Sequence, residues 1–363
     1  MQKGIWRKFD YFLFGSVVIL CVFGIVMIQS AVAGTVGLAQ NVQKQIIYVS
    51  LGLVIIIVAA LIDYHYWASL SRIMYITTVI FLIAIFVYGT ARYGSARWMD
   101  TGFFSIQPSE LGKIVLILVL ADYFAETYYE KHDVRWVLKS LLITLGIVIW
   151  ILLQPNLSTS IVIFVIWFSL LWICKLPIKY IFTFLLIILV TAAIAFPFFP
   201  NYQKARVVNF IMPDPNARYG DTYNVDQALI TIGSGGLVGQ GYGHGSQVQL
   251  RFLKVRHTDF IFSAMAEEFG FVGTTIIIGL LIFVIIRCFR AARIASDMYG
   301  SLIAYGFSIL FFFQTAVNIG VNLNIIPVTG LTLPFISYGG SSLLSLVLGI
   351  GLIESVVSRH ANN

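Results

Sequence analysis

Three groups of residues in this 363-residue sequence could do chemistry. The first is Asp259, in RHTDFIFSAMAEEFG, shortly after Arg251, Lys254, Arg256 and His257. A carboxylate crowded by cations tends to stay ionised, and an ionised carboxylate can take a proton from a hydroxyl it hydrogen-bonds. The same residue, or Thr258, would also suit the N-cap of a following helix. The second group is Glu110 and Lys113, in QPSELGKIVLILVLADYF. Pro108 predicts a helix start, which puts Glu110 in a first turn favourable to negative charge and Lys113 on the same face. Below a membrane surface such a pair either closes the bundle as a bridge or lines a polar cavity, and it can do both. The third group is basic: Lys204, Arg206, Arg218, Arg251, Lys254 and Arg256. These side chains could attract anionic lipid headgroups or hold a phosphate-bearing substrate, which suits the guanidinium fork.

Other candidates carry less. Glu267 and Glu268, about two turns beyond Asp259, are predicted to face the bundle interior without an assigned role. His244 and His257 are not spaced as metal ligands. Cys21, Cys174 and Cys288 sit in or beside apolar runs and read as packing residues. The glycines of 233–245 follow no alternating β pattern and open no evident helix, so no phosphate cradle is predicted.

The elements that must position these groups are membrane spans. The chain is 59% hydrophobic and 11% charged, with mean hydropathy +0.91, where a soluble domain carries roughly 25% charged residues. Its apolar residues fall in runs of roughly 18 or more, enough to cross a hydrocarbon layer as helix. Ten spans are predicted, near 11–33, 45–62, 73–89, 107–125, 139–153, 157–174, 179–199, 259–286, 300–321 and 337–355. The first run is too long for a signal peptide and reads as a retained span. With the N-terminus in the cytoplasm, the inner segments hold 13 Lys and Arg. The short outer loops hold three, Lys44, Arg92 and Arg97. That bias predicts an even number of spans with both termini cytoplasmic. The expected fold is therefore an all-α integral membrane protein, a single polytopic domain over 1–363. One long extracytoplasmic loop, about 200–258, would join spans 7 and 8. The net charge of +7 fits cytoplasmic anchoring of helix ends rather than nucleic acid.

Gly, Pro and polar clusters crowd the outer side: GSARWMDTGFFSIQPSELGK (94–113), QPNLSTS (154–160), the long loop and IIPVTGLTLPFISYGGSS (325–342). Function concentrates in loops held by a rigid scaffold. The last of these segments, preceded by Asn318, Asn322 and Asn324, must line a cavity or be covered by protein, because unsatisfied peptide groups cannot face lipid.

These segments, together with TIGSGGLVGQGYGHGSQ and HTDFIFSAMAEEFG, occur in the order found in the SEDS family (shape, elongation, division and sporulation). The resemblance spans the chain from first to last span. The IGSGGL and SQVQLRFL wording is more similar to the elongation member than to the division member. The resemblance implies peptidoglycan glycosyl transfer, with lipid II polymerised on the outer face of the bacterial cytoplasmic membrane for cell elongation and shape. It implies Asp259 as the catalytic base and undecaprenyl pyrophosphate as leaving group. Arg206, Arg256 and a divalent cation (Mg or Mn) could stabilise that group. Glu110, Lys113 and Arg97 match the family's charged positions, and Ser246 and Gln247 fall in its loop wording; all five are implied on the substrate side. A class B penicillin-binding protein, supplying transpeptidation, is the implied partner, with membrane lipids around it and no nucleic acid. Two positions depart from the family pattern. Asn156 stands where an Asp is usual, which questions any role needing a carboxylate there. Lys254–Arg256 replaces a usual Pro-Glu.

Two other functions compete. A lipid-linked precursor flippase or transporter would also use many helices with buried charges, but the sequence has no matched pair of interrupted helices in its two halves. A non-catalytic assembly subunit would leave Asp259 and the Glu110–Lys113 pair purely structural.

Overall fold

The computed structural model describes residues 6–88, 90–92, 95–100, 105–129, 133–176, 201–213 and 220–360, with isolated positions between 180 and 197. Nine of the expected spans appear as helices: α1 (Tyr11–Val32), α2 (Gln40–Leu61), α3 (His65–Tyr88), α4 (Pro108–Glu126), α5 (Val134–Leu153), α6 (Leu157–Ile173), α10 (Ile261–Ile294), α11 (Met298–Asn322) and α12 (Gly340–Ser358). Between them come α7 (Asn201–Ile211), α8 (Gly220–Ser234) and the single turn α9 (Ser246–Gln249). The expected seventh span, 179–199, lies outside the described residues but for isolated positions. Seven of these helices are long and apolar enough to cross a membrane. Helix α4 is continuous, but its apolar run is broken by its own charges, and α6 is 17 residues long.

Short polar residues start the helices where the sequence offers them. Asp10, Asp133, Asn156 and Asp297 each accept a first-turn N–H, from Leu13, Trp136, Thr159 and Gly300. Helix α4 instead opens on Pro108, with Glu110 in its first turn. The two largest departures from the expected boundaries are extensions. Helix α3 begins at His65 rather than near 73, and α10 runs on to Ile294 rather than 286. Both extensions are polar or charged turns, which add helix without adding hydropathy.

The two chain ends meet on one face. Lys8 Nζ donates to the carbonyl of His360 at 2.6 Å, and Arg287 Nε donates to Asp10 at 2.8 Å. Buried Glu354 accepts the Asp10 N–H. That arrangement agrees with both termini on the cytoplasmic side.

On the opposite face the all-α description needs an addition. The connection from α3 to α4 holds three short antiparallel strands, β1 (Thr90–Arg92), β2 (Ser95–Asp100) and β3 (Ser105–Ile106), in the order β1-β2-β3. Arg92 pairs with Ser95, and Asp100 with Ser105.

The stretch expected as an outer loop does not stay outside. Helix α8 packs along α10, and the glycine-rich turn that follows lies against a break in α10 at Gly270 (φ 66°, ψ −168°). The break leaves backbone groups without intrahelical partners, and the turn supplies them. Gln240 and Gly241 donate to the carbonyls of Glu267 and Glu268, while Phe271 and Val272 donate to those of Gly236 and Leu237. The chain then climbs back along α1. Tyr242 bonds the carbonyl of Val26, Gln249 that of Ser30, and Arg251 that of Gly34. Non-helical backbone at membrane depth is tolerated when protein satisfies it in this way.

The glycines at this crossing are steric requirements. A Cβ on Gly239 (φ +83°) would lie 2.2 Å from the carbonyl oxygen of Glu268, and one on Gly270 would lie 2.3 Å from the N of Gly239. Gly270→Ala is expected to cost roughly 1–3 kcal/mol from the backbone conformation alone, with further loss from the displaced hydrogen bonds. Thermal unfolding in detergent measures it. Gly279→Ala, on the same helix with nothing within 4 Å of its added Cβ, is the control expected to change little.

Candidate active site

Asp259 sits in the turn that leads into α10. Its position is set through its backbone. The carbonyl oxygen accepts from Asn318 Nδ2 at 3.0 Å and from Asn322 Nδ2 at 2.9 Å, two residues one turn apart on α11. The preceding residues are held by the segment before α12. Ser337 Oγ donates to the carbonyl of Thr258, and the Tyr338 N–H donates to that of His257. The N-cap position of α10 falls on Phe260, with no side-chain cap, so Asp259 does not do the capping that its place in the sequence would permit. Among the described residues, no side chain hydrogen-bonds its carboxylate.

Helices α7 and α8 bring charge to that carboxylate. Arg206 on α7 pairs with Asp221 on α8 at 3.3 Å. The two help line a solvent-open cleft of about 390 Å³, with Asn209, Thr222, Asp226 and Asn324 also in its walls. Asp259 keeps some open surface, yet protein surrounds it closely enough that burial pushes its carboxyl up to about 6. Arg206 opposes that rise and Asp221 adds to it. Burial and the neighbouring Arg256 push the His257 imidazole down to about 4, so it is neutral near pH 7. Gly330 (φ +77°) faces Asp259; a Cβ there would stand 3.8 Å from Oδ2. The PVTG segment therefore closes over the carboxylate without crowding it.

The other residues predicted for the site fall in separate places. Glu110 and Lys113 are buried in the bundle, Lys113 completely, with Nζ 2.8 Å from Glu110 Oε2. Ser345 of α12 donates to the same oxygen at 3.2 Å. Their angle makes an ion pair rather than a hydrogen bond, so the ammonium has no aligned acceptor among the described residues. Neither residue touches Asp259. Asn156 caps α6 and donates to Ser109 Oγ on α4 at 3.4 Å; the donation uses the amide that an Asp lacks. The Arg256 guanidinium is taken up by the end of α1. Nε donates to the carbonyl of Ala31 at 2.6 Å and Nη2 to Thr35 Oγ1 at 3.3 Å. Arg206 is thus the cation of the expected pair that the fold brings to Asp259, while Arg256 anchors the loop. Arg97 falls on β2, with its side chain outside the described residues, as is all of Arg218.

Ser246 and Gln247 are organised by Glu267. Its carboxylate accepts from the N–H groups of Gln247 at 2.8 Å and Val248 at 3.1 Å, and from the hydroxyls of Ser234 and Ser246 at 3.3 Å each. It caps α9 from another helix. Glu268 accepts from Ser30 Oγ on α1. No role for these two glutamates is readable from the sequence, because their partners are 19 to 238 positions away. Asp221, Asn318 and Asn322 were missed as site residues for the same reason. The only local signal was the cluster of asparagines ahead of Pro327.

The family model for cell cycle proteins of the FtsW, RodA and SpoVE type matches residues 11–363. The chain belongs to this family. Among FtsW/RodA/SpoVE proteins, it is 34% identical over 360 residues to the peptidoglycan glycosyltransferase MrdB of Escherichia coli strain K12, covering 98% of this chain and 95% of that one. It is 33% identical to the probable peptidoglycan glycosyltransferase FtsW of Aliivibrio salmonicida, over 85% and 78% of the two chains. Two solved structures share the fold. One is a chain of a peptidoglycan synthase complex that coordinates polymerization and crosslinking, with TM-score 0.83, 29% identity and coverage of 98% and 99%. The other is the rod shape determining protein RodA of Thermus thermophilus, with TM-score 0.73, 28% identity and 99% of each chain. An FtsW/RodA/SpoVE protein with these helices is a multi-pass protein of the bacterial cytoplasmic membrane.

Proposed function

We propose that this chain polymerises lipid II on the outer face of the cytoplasmic membrane, with Asp259 as the general base. The enzyme is a peptidoglycan glycosyltransferase of the FtsW/RodA/SpoVE family. The observation that carries the mechanism is a carboxylate held by its backbone, free of side-chain partners among the described residues, and within the electrostatic reach of the Arg206–Asp221 pair. Asp259 accepts the proton of the acceptor sugar hydroxyl as its oxygen bonds the anomeric carbon of the donor. The bond from that carbon to the pyrophosphate oxygen breaks, and undecaprenyl pyrophosphate leaves with the electron pair. Arg206, half-exposed in the cleft, stabilises the departing charge. A divalent cation, magnesium or manganese, would arrive with the pyrophosphate. Among the described residues no group of three or more His, Cys, Asp or Glu side chains could hold a metal ion, and the Arg206 charge stands next to Asp221. The donor set therefore does not fit a resident ion.

The proposed partner is a class B penicillin-binding protein that crosslinks the strands made here; the full-length likeness to a chain of a polymerising and crosslinking complex supports it. Purified protein with labelled lipid II tests the activity, glycan chains being the positive result. A base must be ionised to act. With the Asp259 carboxyl at about 6, kcat/KM is expected to rise through about pH 6 and level off above it. The fold holds this proton more tightly than the unfolded chain does, so ionisation of Asp259 costs stability as pH climbs from 3.8 to about 6. An acid limb near pH 4 would instead mean a fully solvated carboxylate.

A further inference from the structure

Helix α10 is capped from another helix. Phe260, at its N-cap position, has no side chain for the task, and Thr258 Oγ1 donates backward to the carbonyl of Val255. The third residue of the helix, Ser263, donates both its N–H (3.1 Å) and its hydroxyl (2.7 Å) to Asn322 Oδ1. The other end of the same amide donates to the carbonyls of Asp259 at 2.9 Å and Asn318 at 2.8 Å. A backbone N–H can only donate and a carbonyl can only accept, so the orientation of this amide is fixed by its partners. Asn318 repeats the pattern from one turn earlier, donating to the carbonyls of Asp259 and of Leu331 at 2.8 Å. Both asparagines are fully buried, and in such a site each lost partner leaves an unsatisfied group.

We propose that Asn322, supported by Asn318, is a positioning residue for glycosyl transfer: it caps α10 in place of Asp259, and so holds the Asp259 backbone while leaving the carboxylate free. The inference rests on the reading of Asp259 as the base. An aspartate just ahead of an uncapped helix N-terminus is drawn to the free N–H groups and the positive end of the dipole. Once Asn322 is removed, the carboxylate turns from the Arg206–Asp221 side to the helix. The base is still present but no longer reaches the acceptor hydroxyl.

The test uses the full chain in detergent with labelled lipid II, measuring kcat, KM and the pH profile per folded molecule for Asn322→Leu. The expected result is a kcat at least tenfold lower with KM within about twofold of wild type. The acid limb is also expected to move to lower pH, because a carboxylate bonded by a helix N-terminus gives up its proton more readily. The charged groups that act on the Asp259 carboxylate are Arg206 from α7 and Asp221 from α8, while the uncharged Asn318 and Asn322 from α11 hold its carbonyl. His257, at about 4, is already neutral across that limb. Asn322→Ser is too short to span both partners but less disruptive, and guards against a folding failure; the same kcat loss and shift are expected from it. A kcat within twofold of wild type, or a loss with an unmoved acid limb, overturns the proposal. Asp259→Asn is run in parallel. If it polymerises normally, the base reading itself fails; if it is inactive while the Asn322 variants are normal, only the positioning role fails.

Discussion

Asp259→Asn is expected to lower polymerisation of lipid II by roughly 10²–10⁴-fold, the range a general base contributes, without weakening the fold. The two effects separate because the residue's structural bonds run through its carbonyl, which accepts from Asn318 and Asn322. The carboxylate makes no side-chain hydrogen bond among the described residues, and its ionisation opposes the burial around it. An uncharged amide removes that cost, so the unfolding midpoint in detergent at pH 7 should stay level or rise. A stabilised, inactive variant is the signature of a site where function is held against stability. Loss of activity together with a lowered midpoint would point to a structural carboxylate instead.

The second large effect concerns Glu110 and Lys113, and here stability moves first. Both charges are buried, and among the described residues Glu110 Oε2, at 2.8 Å, is the ion-pair partner of Lys113 Nζ. Among the described residues, Lys113→Met leaves that carboxylate with the Ser345 hydroxyl, and it is expected to cost about 3–5 kcal/mol, the usual consequence of stranding one buried charge. Glu110→Gln strands the ammonium and should cost a similar amount. The double variant removes both charges and is expected to lose much less than the sum, which thermal unfolding of all four proteins will show. Additive losses would mean that each residue has partners of its own. Polymerisation by the folded double variant then decides between the two roles left open by the sequence. A bridge that only closes the bundle leaves activity intact, whereas a lining that meets substrate does not.

The contrast between these two sites shows how much was legible in the chain itself. Glu110 and Lys113 are neighbours by helical spacing, so their ion pair could be read three residues apart. Asp259 could be named from its cationic surroundings and the motif around it, but its two possible uses, base or cap, were indistinguishable. That Asp259 does not serve as the cap depends on Asn322, 63 positions away and on another helix. Arg206 and Arg256 looked interchangeable in sequence. Packing separated them, because the end of α1 supplies acceptors for Arg256 while α7 carries Arg206 to the carboxylate side.

By itself, the sequence determined that the chain crosses a membrane many times, which face is cytoplasmic, where nine described helices lie to within several residues, and which family's motifs it carries. Those properties are local: hydropathy accumulates along one segment, helix caps act within a turn, and basic residues mark the side on which a loop stays. Only the tertiary structure decided that the glycine-rich part of the 200–258 segment folds back against a broken helix, and that Glu267 organises the turn carrying Ser246 and Gln247. It also decided that α11 caps α10 so that Asp259 is left free. Each of these satisfies buried polar groups between segments far apart in sequence. In a membrane interior water is not there to do so, and no local pattern records which distant partner will.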